Sequence, residues 1–146
     1  MQKRVMIIGA AGSGKTTLMH ALLGDGERAL KTQALDYRGW VIDTPGEYSE
    51  NPHYYKSLMA TSLEAGALLI VQDATRDRGF LPPGFAAAFP VPAVGAVTKC
   101  DLPDADPERA KRLLRESLPE GEIFVTSART GRGIKKLAAA LAKLTR

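Results

Sequence analysis

An octapeptide near the N-terminus, Gly9-Ala10-Ala11-Gly12-Ser13-Gly14-Lys15-Thr16, has the spacing G-x-x-x-x-G-K-[ST]. That pattern suits holding the phosphates of a nucleoside triphosphate. Gly9, Gly12 and Gly14 open backbone angles closed to other residues, so successive N–H groups can converge on phosphate oxygens. Lys15 is expected at the β- and γ-phosphates and the Thr16 hydroxyl on Mg²⁺. The helix that begins here, with Thr17 in its first turn, adds its dipole. A glycine-rich turn bearing an exposed lysine is the plain alternative. The apolar run Val5-Met6-Ile7-Ile8 just before the loop argues against it, because the chemistry needs a buried strand there.

Two further segments extend the site. Asp43-Thr44-Pro45-Gly46 follows the apolar Trp40-Val41-Ile42. Asp43 is then placed to reach Mg²⁺ through a water, and Gly46 can offer its N–H to a γ-phosphate because no side chain blocks the approach. Alone, D-x-P-G is also a good turn sequence; its position behind the P-loop gives it weight. Thr98-Lys99-Cys100-Asp101 follows a second apolar run, Val91 to Val97. The Asp101 carboxylate can accept two hydrogen bonds from guanine, at N1–H and the exocyclic amine, whereas adenine presents no such pair. The Lys99 stem can lie along the purine face, with Thr98 opening the segment. Ser127-Ala128, continued by Arg129, closes this pocket with a backbone N–H for the guanine carbonyl oxygen. The expected ligands are GTP or GDP with Mg²⁺, and ATP as the alternative.

These loops must be held by something, and the chain supplies it. Strands are expected at 4–8, 34–37, 40–42, 67–71, 91–97 and 123–125, the second and third forming a small hairpin. Helices are expected at 15–23, ended by Gly24 and Gly26, at 52–63, at 107–118 behind the cap Asp106, and at 133–144. Residues 47–51 read as a polar loop and 76–90 as irregular, with one helical turn near Phe85 to Phe89. Near-continuous apolar strands alternating with helices predict a single α/β domain over 1–146, with a mostly parallel central sheet covered on both faces. Ligand loops in such sheets lie at the carboxyl ends of the strands, where all four motifs fall.

At 146 residues the chain fits one domain, with 45% hydrophobic and 25% charged residues and a net charge of +4. No dense basic run with aromatics appears, so the mild positive balance argues phosphate handling rather than nucleic acid. Cys100 is the single cysteine, which excludes a disulfide framework and reads as a semi-buried filler. No stretch approaches the roughly 18 apolar residues of a membrane span. A cytoplasmic protein is expected.

The ordered set G-x-x-x-x-G-K-T, D-T-P-G, T-K-x-D and S-A resembles the small Ras-like GTPases along the whole chain. Lys31-Thr32-Gln33-Ala34, Asp43-Thr44-Pro45-Gly46-Glu47-Tyr48 and Lys99-x-Asp101-x-Pro103-Asp104-Ala105-Asp106 look more particularly like the EutP/PduV family of P-loop proteins. That resemblance implies a bacterial protein linked to ethanolamine or propanediol utilisation, in the cytoplasm or at a microcompartment. It also implies two rivals to slow GTP hydrolysis: phosphoryl transfer to a small acid such as acetate, and a nucleotide-dependent assembly or targeting module with a protein partner at the switch loops.

The Ras-like resemblance makes Thr32 the candidate switch threonine over Mg²⁺ and the γ-phosphate, although only ten residues separate it from Asp43. It puts Glu47 where many such enzymes carry a glutamine that orients the attacking water. A carboxylate there repels phosphate charge, so slow intrinsic turnover or an outside activator is expected. Arg28 is a candidate arginine finger in cis, and Arg76-Asp77-Arg78 the one nearby arginine cluster for a lid or acceptor pocket. His20 and His53 read as packing residues.

Overall fold

The structure, a computed structural model, describes residues 4–24, 36–38 and 40–145. The switch candidates Arg28 and Thr32, with the rest of the stretch Lys31 to Ala34 that carries part of the family resemblance, lie outside the described residues.

The strands are β1 (Arg4–Ile8), β2 (Asp36–Arg38), β3 (Val41–Asp43), β4 (Ala65–Asp73), β5 (Ala93–Thr98) and β6 (Ile123–Val125). They form one sheet in the order β2-β3-β1-β4-β5-β6. Every pairing is parallel except β2 with β3, the hairpin expected ahead of Asp43. The helices are α1 (Lys15–Leu23), α2 (Gly46–Glu50), α3 (Tyr55–Ser62), α4 (Pro107–Ser117) and α5 (Ile134–Leu144), with 3₁₀ turns at Pro52–Tyr54 and Phe85–Ala88.

Strand periodicity divides the core into two layers. Val5 and Ile7 of β1, with Leu69 and Val71 of β4, pack against Leu18, Met19 and Leu22 of α1 and Leu137 and Leu141 of α5. Met6 and Ile8, with Leu68 and Ile70, face Leu58 of α3 and Ala110 and Leu114 of α4. Successive side chains leave a strand on opposite faces, so a run apolar at every position is what two covered faces require. All nine residues of β4 are buried, as befits an interior strand. At α4 the Asp106 side chain accepts from the Arg109 N–H at 3.1 Å, and Pro107 opens the helix.

One expectation fails. Residues 47–51 do not form a polar loop: α2 begins at Gly46 itself, and the helix expected over 52–63 is a 3₁₀ turn followed by α3. Proline at 45 and 52 and the stacking of Tyr48 on Tyr54, with ring centroids 4.6 Å apart, hold this two-step path. A five-residue helix is too short to show periodicity.

Candidate functional site

The P-loop runs from β1 into α1, with Gly12 at φ 76° and Gly14 at φ 91°, left-handed angles that other residues rarely adopt. Gly9 is different. Its φ is not in that region, and what demands glycine there is space: a Cβ would lie 2.9 Å from Ser13 Oγ and 3.1 Å from Lys15 Cγ. Backbone angle is therefore the reason at two of the three glycines only.

Lys15 is buried, with Nζ 3.8 Å from Asp43 Oδ1. Burial pushes its pKa below the ordinary lysine value, an effect partly offset by Asp43 and Glu50. The Thr16 hydroxyl donates to Asp43 Oδ2 at 2.9 Å. The hydroxyl and carboxylate expected to hold Mg²⁺ thus meet, from the start of α1 and the end of β3. Among the described residues no cluster of three or more His, Cys, Asp or Glu side chains forms a metal cage. A magnesium ion bound with phosphates and waters needs only one or two protein ligands, so this donor pair fits it.

Gly46 closes that end. A Cβ on it would stand 2.5 Å from both the N and the Cα of Ala11, so α2 starts hard against the P-loop backbone. Thr44 fixes the approach by donating from Oγ1 to the Ile7 carbonyl at 2.8 Å. Glu47 sits exposed in the first turn of α2.

At the other end, β5 delivers Thr98, Lys99 and Asp101. Thr98 Oγ1 donates to the Ser13 carbonyl at 2.6 Å, so its hydroxyl braces the P-loop instead of facing a base. Lys99 adopts φ 61°, an uncommon angle for a residue with a side chain. Its Cε passes 3.7 Å from the position a Cβ would take on Gly14, and Nζ donates to the Gly12 carbonyl at 2.7 Å. The same Nζ lies 2.9 Å from Asp73 Oδ2. Burial raises the pKa of Asp73, but hydrogen bonds from Thr75 and Lys99 and the Lys99 charge outweigh it and hold the carboxyl below its usual range.

Exposed Asp101 is oriented by Ser127, whose Oγ donates to Oδ1 at 2.8 Å. The Ser127 N–H is occupied by the Arg132 carbonyl at 3.0 Å, while Ala128 and Arg129, next in the chain, line the neighbouring cavity. A cavity of about 210 Å³ has Gly14, Thr17, Lys99, Asp101, Ala128 and Arg129 on its walls. Thr98 and Leu102 complete it.

The structure therefore brings together the P-loop, Asp43, Gly46, Lys99, Asp101, Ala128 and Arg129, with Thr98 and Ser127 as braces. Sequence reasoning missed Asp73, Leu102 and Glu50. The signal available for Asp73 was a lone carboxylate ending a long apolar run. Cys100 is half-buried, with its thiol pKa pushed up by burial, as a filler should be.

Comparison with known proteins shows the family of the chain. Residues 2–143 match the PduV-EutP family, described as ethanolamine utilisation - propanediol utilisation. "Probable acetate kinase EutP" of Escherichia coli (strain K12) is 34% identical over 99% of this chain and 92% of its own length. "Propanediol utilization protein PduV" of Citrobacter freundii is 36% identical over 92% of this chain and 90% of its own. The EutP protein of Salmonella typhimurium is 34% identical over 98% and 91%. With a family match across nearly all of its length and relatives this similar, the chain belongs to the PduV-EutP family.

Proposed function

We propose that this chain binds guanine nucleotides with Mg²⁺ and hydrolyses GTP slowly, in the service of ethanolamine or propanediol utilisation. The observation that carries the reading is the 210 Å³ cavity, continuous with the P-loop through Gly14 and edged by the Asp101 carboxylate that Ser127 holds in place. Thr16 and Asp43 would hold the magnesium, which, when bound, neutralises charge on the β- and γ-phosphates. Lys15 adds its charge beside them. The exposed Glu47 is a charged rather than a neutral side chain after Gly46, which favours slow turnover.

The test is titration with fluorescent GTP and ATP analogues. GTP should bind more tightly, and Asp101→Ala should reduce the preference by about 10- to 100-fold, the worth of a good bidentate contact. Tighter ATP binding by the wild type overturns the guanine reading.

A second reading is phosphoryl transfer to a small carboxylic acid, in the cytoplasm or at a microcompartment. It is favoured by the EutP relatives, which are named probable acetate kinases. The same positioning of the γ-phosphoryl group serves either acceptor. Acetyl phosphate formed from acetate and GTP or ATP, detected by ³¹P nuclear magnetic resonance, supports it; its absence at saturating acetate removes it.

A further inference from the structure

We propose that an open groove between the β4–β5 connection and α4 is the acceptor site, binding a small organic carboxylate beside the P-loop; the proposal rests on the phosphoryl-transfer reading above. The groove, of about 620 Å³, is walled by Arg76, Arg78, Phe80 and Arg109, with Asp77 and Asp104 at its edge. The guanidinium carbons of Arg76 and Arg78 lie 5.5 and 5.2 Å from the centre of the Phe80 ring. One ring thus gathers two cations that repel each other unless an anion joins them.

Their counterions are incomplete. Among the described residues Arg78 and Arg109 have no carboxylate within 4 Å, although Asp77 and Asp104 share the groove. The Arg109 Nε is buried with no hydrogen-bond partner. Guanidinium groups match a carboxylate with paired donors, so this is a surface prepared for one. The two aspartates choose between anions: they repel a dianion such as phosphate more than a singly charged carboxylate, and the Phe80 ring offers an apolar surface to a short acyl chain.

Arg76 joins the groove to the nucleotide site. Its Nη2 donates to the Ala11 carbonyl at 3.3 Å and lies 3.2 Å from the position of a Cβ on Gly12. The connection is braced: Asp73 accepts from the Thr75 N–H at 2.8 Å and hydroxyl at 2.7 Å, and Gln72 Nε2 donates to the Arg78 carbonyl at 3.2 Å. Arg76 is therefore a positioning residue at the border of the two sites.

The step balances without a base. A carboxylate oxygen of the acceptor forms a bond to the γ-phosphorus as the bond from that phosphorus to the bridging oxygen breaks. The nucleoside diphosphate leaves with the electron pair, and the product is an acyl phosphate. Water must lose a proton to make the same attack; an ionised carboxylate has none to lose. A site with Glu47 in place of a water-orienting glutamine is suited to such an acceptor.

The experiment uses the full chain with Mg²⁺ and nucleotide. Arg78→Ala should raise the KM for acetate and propionate by about tenfold, as loss of a charge-assisted contact does, and leave nucleotide affinity within about twofold. Arg78→Lys should recover part of the loss. Without nucleotide, ¹³C-acetate should shift on adding wild-type protein and not on adding the Arg78→Ala variant, and inorganic phosphate should compete weakly. Acyl phosphate formed with an unchanged KM in Arg78→Ala overturns the groove and leaves the transfer reading standing. Inorganic phosphate binding more tightly than acetate overturns the carboxylate assignment. No acyl phosphate from the wild type overturns the transfer reading and the acceptor role with it.

Discussion

The two ends of the proposed nucleotide site, one for the base and one for the γ-phosphate, are built differently. At the proposed base end, protein groups already satisfy one another: Thr98 holds Ser13, Lys99 holds Gly12 and Asp73, and Ser127 holds Asp101. At the γ-phosphate end, Thr16 and Lys15 gather on Asp43, and the segment beyond it meets the P-loop at the close approach of Gly46 to Ala11. The first end is preorganised by a network; the second depends on where a short helix starts. Binding and γ-phosphate sensing should therefore fail separately.

Gly46→Ala is the strongest way to break the second end alone. The 2.5 Å clash with Ala11 must move α2, and discrimination of GTP from GDP should fall by about 10- to 100-fold, the scale of one charge-assisted hydrogen bond. GDP affinity, measured by the same titration, should hardly change. An unchanged GTP-to-GDP ratio would show that the two ends are not separable at this point.

Thr98→Val attacks the first end. It keeps shape while leaving the buried Ser13 carbonyl without its donor, so stability should drop by about 1–2 kcal/mol, read as a lower melting temperature. GTP and GDP should weaken together. A selective loss of GTP would contradict the division.

Asp73→Asn should have the smallest effect and a pH signature. The carboxyl of Asp73 titrates below the usual aspartate range, so its stabilisation is present above about pH 4, the unfolded value, and fades as pH falls through the folded value. Wild type should exceed the variant by on the order of 1 kcal/mol at pH 7, and the gap should close in acid, as followed by urea unfolding. A gap independent of pH would mean that the Lys99 link contributes through shape instead of charge.

Much of this was legible in the residues. The bounds of β1, α1 and β6 follow from apolar runs and the glycines beside them; for β1, burial on two faces leaves a plain mark on composition. The placement of the P-loop, Asp43 and Asp101 at strand ends was legible because each motif fixes residue type as well as spacing. α2 was not, since five residues carry no period and tertiary contact decides their shape. Nor was the role of Thr98, because a hydroxyl turned toward a backbone carbonyl reads the same as one turned toward a ligand. The arginines at 76 and 78 were visible; Phe80, which gathers them, was not, since only the folded connection sets a ring beside both.

The contact between Gly46 and Ala11 also has a genetic meaning. The nearest atoms in the way are the N and Cα of Ala11, which every amino acid possesses, and trimming its Cβ, at 2.8 Å, leaves both in place. A defect caused by a larger residue at 46 therefore cannot be suppressed by any replacement at 11. Revertants of Gly46→Ala should restore glycine itself or fall within 44–62, where a shift of α2 and α3 can reopen the gap.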